Sequence, residues 1–430
     1  MRQSRVAVLR ALSLLVALGA AAQEPNPAGD GPAPGTATAP RKSASEVFLE
    51  FQPTPALPFP DPEDLKPVPD PEPLVFLDGR KVQTKEDWEA RKKEILDLAH
   101  HYIYGFCPPE QFVKGTPPPE VVKEVKDAYG GLATMREIKV SLTPEADDAD
   151  GTLWLCLAIP NKGEGPFPAV LQFGRPKGAH ATTTSNSEVD QLSEYAISRG
   201  YAVAGFSPQG AYSMYKYYFP IHSGPWVDGK DPRFSAHPSP NVRNLGPRPL
   251  HGWGERVIWA WRMRRVMDAL VTQKDVDAKR VIFVGGSRGG MSVLMAAALD
   301  ERAAMVYAWQ PAGLRIRGYN WPDRPEWLAP AVQMFQGKLD RLPVDTYCVA
   351  ATLAPRPVLF TATHTGYTPM GAEVQMGEMP APGQSVIYSK GPIGLHVRDG
   401  THAWVLDDFK AMLDFADERL KPNPKKETMP

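Results

Sequence analysis

Ser287 stands in Gly285-Gly286-Ser287-Arg288-Gly289, after the apolar run Val281 to Val284 and before a stretch with helical patterning. A Gly-x-Ser-x-Gly turn between strand and helix can lift a serine hydroxyl clear of the backbone, ready for acyl transfer. The glycines have a steric purpose, because side chains on so tight a turn would clash with the neighbouring strand and helix. A serine hydroxyl is a weak nucleophile until a base removes its proton. His402, in Val397-Arg398-Asp399-Gly400-Thr401-His402 just ahead of the final helix, has the chain order and the loop position for that base. His396 is the second choice, expected to pack inside a strand. An acid should orient the histidine. In the loop after Thr361 the nearest carboxylate is Glu373, the candidate; Asp323 and Glu326 are alternatives, and Asp399, near His402 in sequence, is expected on the strand.

The elements that must carry these residues alternate. Strands are expected at 137–142 and 152–159, joined by an Asp-rich turn at 144–151, then at 168–173, 201–206, 280–284, 304–309, 357–361 and 394–397. Helices are expected at 188–198, 254–272, 291–299 and 407–420, after an earlier one that begins at Thr84 and stops at Gly105. Such alternation gives an α/β fold of the α/β-hydrolase type: a mostly parallel sheet with helices on both faces and an antiparallel N-terminal edge. Two long segments break the rhythm, 209–249 with Tyr212, Tyr215, Tyr217, Tyr218 and Trp226, and 313–346 with Tyr319, Trp321 and Trp327. Long loops in a compact domain are commonly functional, and these aromatics could form a sugar-stacking cleft.

Composition narrows the classes. A formal net charge of −1 provides no field for nucleic acid or an anionic membrane. Arg2, Arg5 and Arg10 precede an apolar stretch, 11–22, too short to span a bilayer and ending in Ala20-Ala21-Ala22. This reads as a signal peptide over 1–22, cleaved near Ala22, with export to periplasm or medium. Residues 23–73, rich in Pro and Ala, read as a linker whose later part runs extended over the domain surface. The catalytic domain is expected over 74–422. Cys107, Cys156 and Cys348 cannot all pair within one chain and have no metal-site spacing; Cys156 and Cys348 are expected in the core. No metal, no cofactor and no stable membrane insertion are expected, and the chain is taken as a monomer.

At these residues the sequence resembles the glucuronoyl esterase family of carbohydrate esterases, in its bacterial form. Gly285-Gly286-Ser287-Arg288-Gly289-Gly290 is similar to the family's serine signature. The helix Ile258-Trp259-Ala260-Trp261-Arg262 through Leu270, the run Ala354-Pro355-Arg356-Pro357, the stretch Gly394 to His402, the closing helix and the Trp88 helix ending at Tyr104-Gly105 are also similar. The resemblance covers roughly 84–420. It implies Ser287 as nucleophile, His402 as base and Arg288 as an oxyanion contact, with Trp309, Gln310 and Trp321 as expected substrate contacts. The sequence departs from the family at Met291, where a sugar-binding lysine stands, and at Pro311, where the acid often stands. The expected function is an exported serine esterase hydrolysing uronate or acetyl esters on polysaccharide through an acyl-enzyme. The competing expectations are a weakened hydrolase that binds a glycan or partner, and an exported hydrolase of another ester or amide.

Overall fold

The computed structural model describes residues 59–68, 70–107, 113–142, 152–174, 187–207, 226–227, 248–249, 252–311, 314–318, 327–363 and 385–420. The expected leader and most of the linker lie outside these residues, as does the turn at 144–151. Residues 59–68 and 70–73 are seated on the domain: Tyr102 and Tyr347 donate their hydroxyls to the carbonyls of Pro60 and Pro71, at 2.6 and 2.7 Å.

Helix α1 (Lys85–Ala99) opens on a reciprocal cap in which Asp87 N–H donates to Thr84 Oγ1 and Thr84 N–H to Asp87 Oδ2. It runs into a π-helical turn, His100–Tyr104, and stops at Gly105, whose φ of 77° suits a residue without Cβ. The strands are β1 (Glu120–Asp127), β2 (Ala133–Ser141), β3 (Thr152–Pro160), β4 (Phe167–Phe173), β5 (Ala202–Phe206), β6 (Val276–Gly286), β7 (Ala303–Trp309), β8 (Val358–Thr363), β9 (Ser385–Lys390) and β10 (Ile393–Arg398). They form one ten-stranded sheet in the order β1-β2-β3-β5-β4-β6-β7-β8-β10-β9. The run from β5 to β10 is parallel; β1, β2, β3 and β9 are antiparallel. The antiparallel N-terminal edge is present. Two strands differ from expectation: β1, charged and exposed, and β9, which makes the opposite edge antiparallel as well. Neither has the apolar run of a central strand, because one strand of each edge pair faces solvent.

Helices α2 (Ser187–Ser198), α3 (Glu255–Leu270), α4 (Arg288–Ala298), α5 (Thr346–Ala351) and α6 (Leu406–Arg419) cover the sheet. On one face α1, α3, α4 and α5 enclose a core with Ile95, Trp261, Met267, Leu294 and Val349. On the other, Leu192 and Ile197 of α2 meet Phe409, Leu413 and Phe415 of α6. Cys156 and Cys348 are fully buried. Central β6, apolar on both sides, is held between β4 and β7, so the turn at its C-terminal end is fixed from both sides.

Candidate active site

Ser287 sits between the end of β6 and the start of α4 with φ 53° and ψ −116°, a conformation that L-residues avoid. Its N–H donates to the carbonyl of Trp309 at 2.9 Å. The glycines around it have no room for a Cβ. One on Gly285 would lie 2.4 Å from the Gly289 carbonyl, and one on Gly286 would lie 2.7 Å from both the Trp309 and Trp404 rings. This is the geometry that Gly-x-Ser-x-Gly requires. The first turn of α4 then turns unpaired backbone N–H groups toward the serine's side of the helix.

Arg288, the first residue of α4, has its guanidinium 5.7 Å from the ring centres of Trp259 and Trp327. Buried Arg256 stacks on the same Trp259 at 4.0 Å and pairs with Glu255. Aromatic faces rather than a carboxylate among the described residues therefore hold Arg288. A cavity of about 250 Å³ opens beside it, lined by Gln172, Phe173, Trp259, Ser287, Arg288 and Trp404. It lies at the C-terminal ends of β4 and β6, where open α/β sheets bind ligands.

His402 follows β10 on a loop turned by Gly400, φ 111°. Its ring lies against Trp309, centroids 4.7 Å apart, and Trp309 in turn stacks on Trp404 at 4.6 Å and 16°. The Trp309 indole N–H donates to Asp408 Oδ2 at 2.9 Å. Asp408, fully buried near the start of α6, also takes Arg398 Nε at 2.7 Å, Arg398 Nη2 at 2.8 Å and Val405 N–H at 3.1 Å. Burial alone would raise its carboxyl; nearby His396 and Arg398 outweigh that and hold it below the ordinary carboxylate value. Burial, with the Arg398 charge second, lowers the pKa of His402.

Gln310, the residue after β7, is fully buried with φ 37°. Its Oε1 lies 2.5 Å from His402 Nδ1. Thus Ser287, Arg288, Trp309, Gln310 and His402 gather around the ends of β6, β7 and β10. Trp309 and Gln310, expected as substrate contacts, are buried to 2% and 0% exposure and turn toward the histidine. Glu373 and Trp321 lie outside the described residues, with Asp323 and Glu326. Asp399 falls just past β10, not on it, and its side chain accepts from Gly400 N–H at 2.8 Å. His396 is buried in β10, as its strand position implied. Met291 is fully buried on α4. No group of three or more potential metal ligands occurs among the described residues. Sequence reading missed Asp408 and Trp404. Both sit in the closing-helix region, and nothing in their spacing points across the sheet to Trp309.

A family model described as "Glucuronyl esterase, fungi" matches residues 250–315, which span α3, the serine turn and Gln310. A carbohydrate esterase from an unknown prokaryotic organism is 26% identical over 399 residues, 81% of this chain and 89% of its own length. The chain is related to the glucuronoyl esterases. A 4-O-methyl-glucuronoyl methylesterase from Podospora anserina is 23% identical over 66% of the chain, which spans about half (53%) of that enzyme. A solved glucuronoyl esterase from Solibacter usitatus superposes with a TM-score of 0.63 at 22% identity, covering 84% of this chain and 100% of that one. A promiscuous esterase from a marine bacterial metagenome superposes at 0.61 with 23% identity, covering 84% and 99%. At these identities the superpositions establish the shared α/β-hydrolase fold. The glucuronoyl esterase relationship rests on the sequence matches, which include the serine turn.

Proposed function

We propose that this protein is a serine esterase acting on ester groups carried by carbohydrate. The observation that carries it is Ser287 in the strained turn after β6, with Arg288 and a cavity on one side and His402 and Trp309 on the other. In the proposed sequence Ser287 Oγ bonds to the ester carbonyl carbon while its proton passes to His402 Nε2. The oxyanion gathers at the start of α4 and the Arg288 guanidinium. The imidazolium protonates the leaving alcohol, and water then releases the acyl group by the same route. The names of the glucuronoyl methylesterase relatives favour a uronate ester; an acetyl ester is the alternative. Buried Met291 stands where the resembling family has a sugar-binding lysine, so hydroxyl recognition here would come from other residues.

Export belongs to this reading through the leader at 1–22. No helix among the described residues is long and apolar enough to cross a membrane. The neutral amide against His402 favours one second reading, a weakened hydrolase that binds a glycan in the same cavity. Hydrolysis of p-nitrophenyl acetate and of a benzyl glucuronate ester, beside Ser287→Ala, separates them. Turnover that disappears in Ser287→Ala supports the esterase. Wild-type rates equal to those of Ser287→Ala on both esters count against it.

A further inference from the structure

We infer that Gln310 is the positioning residue for the catalytic base, taking through its side-chain carbonyl the place that a carboxylate holds in a Ser-His-acid triad. The inference rests on the esterase reading for its consequences in turnover, but its geometry stands apart from it. Gln310 Oε1 can only accept a hydrogen bond, so the 2.5 Å contact places the imidazole proton on Nδ1. Nε2 is then left with a lone pair, the form a general base needs. Gln310 has little freedom to do otherwise. It is fully buried, its backbone is held at φ 37°, and its N–H donates to the Thr361 carbonyl at 3.2 Å. Its Nε2 has no hydrogen-bond partner. A buried amide with one end unused has a local cost, and a strained backbone is retained where surrounding structure requires the side chain it aims.

Where a carboxylate orients the histidine, replacing it by an amide can lower turnover by ~10⁴, because the amide's NH₂ forces the wrong tautomer. Here the carbonyl end faces Nδ1. The tautomer is right, and what Gln310 lacks is only the charge that would stabilise imidazolium. Trp309, one residue earlier, lies against the same ring and restricts its tilt. Among the described residues, the titratable and charged groups on the surrounding elements are His396 and Arg398 of β10, Asp399 just past it, Asp408 on α6 and Arg288 on α4. Asp408 is already engaged by Trp309 and Arg398, and Asp399 accepts from Gly400 N–H.

The test uses the full chain with Gln310→Glu, Gln310→Met and Glu373→Gln. Two readouts are taken: the pH profile of p-nitrophenyl acetate hydrolysis, and the ¹⁵N tautomer and titration of His402, assigned against His402→Gln. Expected are an Nδ1–H tautomer in wild type, a His402 titration and acid limb moved to higher pH in Gln310→Glu, and turnover raised by roughly tenfold. Gln310→Met, of similar volume, should lose on the order of 100-fold in kcat with little change in KM. An Nε2–H tautomer in wild type, or a His402 titration that Gln310→Glu leaves unmoved, overturns the inference. So does loss of turnover in Glu373→Gln together with wild-type behaviour in Gln310→Met. If wild type shows no Ser287-dependent hydrolysis, the esterase reading fails, and the tautomer measurement still decides the role of Gln310.

Discussion

The indole N–H of Trp309 and the Oδ2 of Asp408, 99 positions apart in the chain, meet at 2.9 Å and tie the end of β7 to the start of α6. The same carboxylate holds Arg398. The ring that leans on His402 is therefore anchored through a buried charge pair. Asp408→Ala leaves the Arg398 guanidinium buried without its carboxylate and should cost about 3–5 kcal/mol of folding stability. Trp309→Phe keeps a ring but removes one donor to a charged acceptor and should cost about 1.5–3 kcal/mol. Urea midpoints of both variants, at unchanged m-value, check this ordering.

Arg288 should matter to turnover and not to folding. It is part-exposed, and its partners among the described residues are aromatic faces. Arg288→Met is expected to lower kcat by about 10²–10³, the usual effect of losing one oxyanion donor, with a melting temperature close to wild type. Arg288→Lys should recover part of the rate. An equal loss of stability in Arg288→Met would mean that the arginine mainly supports packing.

His402 must be neutral to take a proton. Burial, with the Arg398 charge second, lowers its pKa below the ordinary 6.5. The acid limb of kcat/KM should accordingly lie below pH 6.5 in wild type. The folded state favours the neutral ring, so any stability it contributes is present above the unfolded pKa and lost as pH falls through the folded one. A limb above 6.5 would mean that a carboxylate faces the ring.

Asp345 offers a second pH signature, away from the site. It is fully buried, and burial pushes its carboxyl from 3.8 up to about 6 despite N–H donors from Ile316 and Thr346. The folded protein thus holds this proton more tightly than the unfolded chain. Its contribution is complete below the ordinary carboxylate pKa and is lost as pH rises through 6. Asp345→Asn keeps an acceptor for both N–H groups and removes the charge. Relative to that variant, wild type should lose about 2 kcal/mol between pH 4 and pH 7, read by urea unfolding at both.

Much of the scaffold was legible because its signals are local. The apolar run into Gly-Gly-Ser287-Arg-Gly-Gly marks a buried strand turning sharply into a helix, and β6 and α4 meet there. Thr84 marked the start of α1, where its side chain caps the helix. The two edge strands were the opposite case. Glu120–Asp127 mixes charges with valine, and Ser385–Lys390 is short, with only Val386-Ile387-Tyr388 between its polar ends, so neither shows a buried face before its partner is known. In the site, chain order and loop position singled out Ser287 and His402, which stand at the ends of β6 and β10. The contact of Gln310 with His402 was not legible, because glutamine beside a strand end is equally suited to a sugar hydroxyl.

By itself the sequence determined the alternating α/β scaffold, the strained serine turn and the loop that bears the histidine. Each is written in periodicity, in glycine spacing and in position relative to a strand end. Only the tertiary structure decided what lies against the histidine. Parallel strands β7 and β10 flank β8 and bring Gln310 and His402 together from 92 positions apart. The same packing turns the Gln310 carbonyl inward, seats Trp309 between two rings and sends its N–H to Asp408. Such contacts depend on side-chain direction across neighbouring strands of the sheet, and no local pattern encodes that direction.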